Sequence, residues 1–135
     1  MTTSHSKQIA ELLKTAKTIA VVGLTDSPAR PSYSVSRYMK SQGYRIIPVN
    51  PNITEWMGEK AYASLLEIPE KIDVVNVFRR PDAVPEVVEE AIKLKVPALW
   101  LQEGVIHEEA AEKARQAGIF VVMDKCILKE HMRVR

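Results

Sequence analysis

The chain has 135 residues, 46% of them hydrophobic and 27% charged, with a formal net charge of +2. That balance is ordinary for a globular domain, too weakly basic to call for nucleic acid, and without a run of ~20 apolar residues to cross a membrane. The single cysteine excludes an internal disulfide framework and suits a reducing cytoplasm, the segment Met1 to Lys17 lacks an apolar run of signal-peptide length, and one domain over residues 1–135 is expected.

Ile9, Leu12, Leu13 and Ala16 recur at helical spacing, which predicts an amphipathic helix over 6–16. The first strand is Thr18 to Gly23. A polar loop from Leu24 to Ser34 leads to a second helix over about 33–42, marked by Val35, Tyr38 and Met39 and ended by Gly43. Strand two, Tyr44 to Val49, closes on Pro48-Val49-Asn50-Pro51, which cannot continue as a central strand. A loop over 52–60 carries Trp56 and Gly58, and a short helix is predicted over 62–66. Strand three, Ile72 to Phe78, is apolar nearly throughout, as a strand covered on both faces should be.

Asp82 is placed to cap the next helix, with Pro85 in its first turn and Val84, Val87, Val88, Ala91 and Ile92 as its buried stripe. Strand four is Ala98 to Leu101. A helix over 106–117 stops at Gly118, and strand five is Ile119 to Met123. The basic tail from Asp124 to Arg135 receives no element. Strand and helix alternate with short connections, so the fold class is α/β, a parallel sheet between two helical layers with right-handed crossovers. The expected strand order is 3-2-1-4-5, with a crevice between strands one and four.

In open parallel sheets, ligands bind beyond the carboxyl ends of the strands. Those ends read Gly23-Leu24-Thr25, Pro48-Val49-Asn50-Pro51, Phe78-Arg79-Arg80, Gln102-Glu103-Gly104 and Asp124-Lys125-Cys126, with Arg30 and Arg37 after strand one. A strand end, a loop and a helix start meet near Gly23, where backbone N–H groups and the helix dipole suit a phosphate. Cations do not favour helix starts, so Arg79-Arg80 before a helix points to a bound anion. The plainer readings are a tight turn at Gly23 and solvated arginines. His5, His107 and His131 lack partners at ligand spacing, so no metal site is read.

Residues 25 and 28 are Thr and Pro, so the dinucleotide glycine fingerprint is missing, and no P-loop motif is present. Strand two ends in Asn50 rather than the acid that holds an NAD ribose, and no carboxylate follows until Glu55. A phosphorylated ribose would tolerate this and suit the arginines. Both coenzyme A and NADP meet that description.

The runs Ile19 to Leu24, Pro31 to Ser34, Gly43 to Pro51, Ile72 to Phe78, Trp100 to Gly104 and Asp124 to Cys126, with Gly58, resemble the stand-alone CoA-binding proteins over roughly residues 9–130. That family shares its fold with the CoA-binding domain of the succinyl-CoA synthetase alpha subunit. The resemblance implies a Rossmann-like, doubly wound sheet of five parallel strands in three α/β/α layers. It implies that the loop from Gly23 to Ser34 meets the pyrophosphate and Pro48 to Asn50 line the adenosine. Val77, Phe78 and Arg79 would flank the pantetheine and phosphates, with Gln102-Glu103-Gly104 further along the arm. The candidate cofactor-binding set is therefore Gly23, Leu24, Thr25, Arg30, Ser32, Ser34, Arg37, Pro48, Val49, Asn50, Val77, Phe78, Arg79, Arg80, Gln102, Glu103 and Cys126.

The expected function is a cytosolic protein that binds coenzyme A or an acyl-CoA, to sense, store or present it, with no catalytic residue assigned. The rivals are a small NADP-dependent reductase, an acyl-transfer enzyme using Cys126 as its only thiol, and a CoA-binding module for a separate ligase partner. Gly23→Val is expected to block phosphate approach while leaving the fold intact. Cys126, beside Lys125, reads as a small semi-buried packing residue or, alternatively, as a thiol that exchanges into a mixed disulfide with CoA under oxidising conditions.

Overall fold

The computed structural model of the chain describes residues 2–135. The chain runs α1 (Thr2–Thr15), β1 (Thr18–Val22), α2 (Pro31–Ser41), β2 (Arg45–Val49), a hairpin β3 (Glu55–Trp56) and β4 (Glu59–Lys60), and a short turn of 3-10 helix at Leu65–Glu67. It continues with β5 (Val74–Val77), a second 3-10 turn at Pro81–Ala83, α3 (Val84–Leu94), β6 (Ala98–Leu101), α4 (Glu108–Gln116), β7 (Phe120–Val122) and α5 (Ile127–Val134). Five strands form one parallel sheet in the order β2-β1-β5-β6-β7.

The two-residue period of the strands divides the core into two layers. Ala20, Val22, Val75, Val77, Leu99 and Leu101 face α3 and α4, where Val84, Val88, Ala111 and Ala114 are buried. Ile19, Val21, Val74, Ala98 and Trp100 face α1, α2 and α5, against Leu13, Met39 and Ile127. Each fully buried Leu, Ile or Val contributes about 1.5–3 kcal/mol. The result is the expected Rossmann-like sandwich of helices, sheet and helices.

The strand order corrects the sequence expectation. The third sheet strand, β5, lies between β1 and β6, giving 2-1-3-4-5 in place of 3-2-1-4-5, so the crevice opens at the β1–β5 pair and not between strands one and four. After β2 the chain returns across β1 because β5 is buried at all four residues and needs a neighbour on each side. The outer side of β2 is covered locally. Tyr62 N–H donates to Pro48 O at 3.0 Å and Asn50 N–H to Tyr62 O at 2.8 Å.

The loop expected over 52–60 contains the hairpin, whose Trp56 is buried edge-on to Tyr33, with ring centroids 5.7 Å apart. The helix expected over 62–66 is the 3-10 turn at Leu65–Glu67, where Ser64 Oγ accepts from Leu66 N–H at 3.1 Å. Asp82 does not cap α3; it sits inside the preceding 3-10 turn, and the N-cap is Ala83 without a side-chain bond. The tail forms α5 and packs on α1 and α2, and Tyr38 Oη and His131 Nδ1 share a hydrogen bond of 2.9 Å.

Candidate functional site

Gly23 follows β1 with φ at +90°, and a Cβ there would collide with the Phe78 carbonyl oxygen and lie 3.0 Å from Arg79 Cδ. The glycine is therefore required by two converging strand ends, and the Arg79 stem crosses the space it leaves open. Gly23 N–H donates to Val49 O at 2.9 Å and Phe78 N–H to Val22 O at 2.8 Å, so three strand ends are tied at this point.

Beyond Gly23 the loop folds back on α2. Thr25 N–H donates to Ser32 Oγ at 3.2 Å. Asn50 Nδ2 donates to Leu24 O at 3.1 Å, and Asn50 Oδ1 accepts from Asn52 N–H at 2.9 Å. α2 begins at Pro31 with Arg30 as N-cap and no side-chain cap bond, so its positive end lacks the usual internal acceptor.

A cleft of about 520 Å³ lies over these groups. Of the residues singled out in the sequence, it brings together Gly23, Thr25, Arg30, Ser32, Phe78, Arg79, Arg80, Gln102, Glu103 and Cys126. The others lie around it. Leu24, Pro48, Val49 and Val77 are buried beneath; Asn50 braces the loop; Ser34 Oγ donates to Pro31 O at 3.3 Å; and Arg37 is exposed further along α2. Pro31, Val35, Pro81, Gly104 and Val105 also line the cleft and were not in the sequence set. Pro31 and Gly104 fall within runs already noted in the sequence, whereas Val35, Pro81 and Val105 offer only apolar contact, which no motif announces.

The charges are unevenly satisfied. Among the described residues, Arg30, Arg37 and Arg79 form no ion pair, and Arg80 reaches only Asp82, at 3.7 Å. On the opposite wall Glu103 is paired with Lys129 at 3.1 Å, a contact that raises the Lys129 pKa. Beneath the cleft, Asn76 is 1% exposed on an otherwise apolar strand, and its amide pairs with that of Gln102 at 2.7 Å. A lone polar residue in a run of valines is the sequence signal for such a pair. Cys126 is half-buried at the N-cap of α5 and faces the cleft. His107 has a structural place as the N-cap of α4, with Nδ1 accepting from Ala110 N–H at 3.1 Å.

An open parallel sheet with an uncapped helix start over its switch point defines a protein of the Rossmann-like class, with an arginine-lined cleft at its strand ends. The chain belongs to the family described as CoA binding domain, whose profile matches residues 17–132. It is 48% identical over 124 residues to YneT of Bacillus subtilis, covering 92% of each chain. A solved structure from Thermus thermophilus, cell-free ID.343, superposes with a TM-score of 0.91 at 44% identity, covering 96% of this chain and 98% of that one. The chain is also 31% identical over 116 residues to the alpha subunit of ADP-forming acetate–CoA ligase I from Pyrococcus furiosus. That match takes 78% of this chain and only 25% of the subunit. Among the described residues no helix is long and apolar enough to cross a membrane.

Proposed function

We propose that this protein binds coenzyme A or an acyl-CoA in the cleft at the β1–β5 switch point, and that it senses, stores or presents the cofactor in the cytoplasm. The observation that carries the reading is that Arg30 and Arg79, beside the uncapped start of α2, have no carboxylate partner among the described residues. Together they offer charge-assisted donors to a pyrophosphate and a further phosphate. Membership of the CoA binding domain family supports the same ligand.

Asn50 favours a phosphorylated ribose over NAD. Both ends of its amide are engaged inside the protein, by Leu24 O and Asn52 N–H, so it is not free to hold ribose hydroxyls as an acid there would. The other groups around the cleft are cations, hydroxyls, an amide, the Glu103 carboxylate paired with Lys129, and apolar side chains, with one thiol at Cys126. A role in binding draws on all of them. The name of the ligase subunit supports a variant of this reading, in which a separate partner supplies the catalytic domains.

Isothermal titration with CoA, NADP and NAD tests the proposal. CoA should bind clearly the tightest. Equal or tighter binding of NADP overturns it.

A further inference from the structure

The wall of the cleft opposite the arginines is built from two segments that are distant in sequence. One is the connection after β6, with Glu103, Gly104 and Val105; the other is the turn between β7 and α5, ending at Cys126. The turn is anchored to the sheet. Trp100, fully buried, donates from Nε1 to Lys125 O at 2.8 Å, and Lys125 N–H donates to Leu101 O at 3.4 Å.

Asp124 is the next residue back from this anchor, and it joins the two segments. Its φ is +62°, in the left-handed region that side chains other than glycine enter at a cost. From there its Oδ1 accepts the Gly104 N–H at 2.8 Å. Gly104 itself has φ at +83°. A further tie to the loop, from Lys129 on α5 to Glu103, joins two largely exposed side chains and holds little. The Asp124 bond is thus the contact by which a fixed turn sets the position of a loop.

The cleft is also electrically two-sided. Arg30, Arg79 and Arg80 draw the phosphates to one wall, whereas the other presents the Glu103 carboxylate, which repels phosphate, and Val105, which offers apolar contact to an uncharged chain. We infer that Asp124 is a positioning residue for the wall that grips the uncharged pantetheine arm, acting through Gly104 and not by contact with the phosphates. The inference rests on the CoA reading above.

Two variants and two ligands test it. Glycine accepts the left-handed backbone, so Asp124→Gly removes the acceptor without adding strain; asparagine tolerates the same φ and keeps an acceptor oxygen. Adenosine 3′,5′-bisphosphate carries phosphates but no arm. By titration, Asp124→Gly should bind CoA about tenfold more weakly, the loss expected for one bond to a charged group. It should bind the bisphosphate as the parent does, with a melting temperature lowered by a few degrees at most, since one internal hydrogen bond is lost. Asp124→Asn should bind CoA within about twofold of the parent, since it keeps the bond in neutral form. The inference is overturned if Asp124→Gly binds CoA like the parent, if it loses both ligands in equal measure, or if asparagine is as weak as glycine. Failure of the parent to bind CoA at all overturns the functional proposal along with it.

Discussion

The two edges of the sheet handle their arginines in opposite ways. At the amino edge, Arg45 forms a two-pronged contact with Glu70, each N–O distance 2.5 Å, and also reaches Glu59 at 3.0 Å; Glu59 holds Lys40 at 3.1 Å. The hydrogen bond to Glu70 raises the Arg45 pKa, and Glu59 and Glu70 are held below the usual carboxylate range, chiefly by Lys40 and by Arg45 respectively. At the carboxyl edge, Arg30 and Arg79 have no such partner among the described residues. A small net charge therefore conceals one edge where Arg45 is paired within the protein and another where Arg30 and Arg79 line a cleft without a carboxylate partner among the described residues. That difference, rather than the number of arginines, marks the ligand side.

The sharpest way to break the comparison is to remove cations from each edge in turn. Charge-assisted bonds to phosphate are worth about 1.5–3 kcal/mol each, so Arg30→Ala with Arg79→Ala should weaken CoA about a hundredfold or more. The melting temperature should barely change, because neither side chain has an ion-pair partner among the described residues. Unchanged titration isotherms would make the carboxyl-edge arginines no more than solvated charges.

Gly23 joins binding to stability, and its expected effect is next in size. Contrary to the expectation from sequence, a Cβ at this position meets the backbone of Phe78, the residue after β5, so Gly23→Ala should destabilise the fold by roughly 2 kcal/mol and Gly23→Val by more. Urea midpoints measure this directly. A variant with parental stability and lost CoA affinity would return the glycine to a purely ligand-facing role.

The amino edge should give the smallest effect. Arg45→Ala should leave CoA affinity intact and cost about 1 kcal/mol or less, as partly exposed ion pairs do. Its pH dependence has a definite sign. Glu59 and Glu70 have lowered pKa values in the folded state, so their contribution is present above the unfolded carboxylate value of ~4.3 and is lost as pH falls through the folded values. The parent should therefore lose stability on acidification more steeply than Arg45→Ala. Parallel stability curves between pH 3 and 6 would show that the network is without energetic weight (about the range set by those carboxylates).

Much of this was legible along the chain. Apolar runs at period two, helical stripes such as Val84, Val87, Val88 and Ala91, and stops such as Gly43 and Gly118 give the element types, because they record burial and local backbone freedom. The polar strand ends could be collected as one edge for the same reason: parallel strands all end on the same side. The family resemblance rested on those ends, and the profile match bears it out.

Other features depend on pairings that no local pattern carries. The position of β5 beside β1, the hairpin under Tyr33, and α5 packed on α1 and α2 arise from which surfaces meet after the chain doubles back. The same is true of the contact that makes Gly23 obligatory, since Phe78 lies 55 residues away, and of the bond from Gly104 to Asp124 across 20 residues. By itself the sequence determined an α/β sheet with cations gathered at its carboxyl edge, because periodicity and strand direction are local properties. Only the tertiary structure decided which of those cations remain unpaired around a common cleft, because pairing is settled by distances between side chains brought together from separate strands.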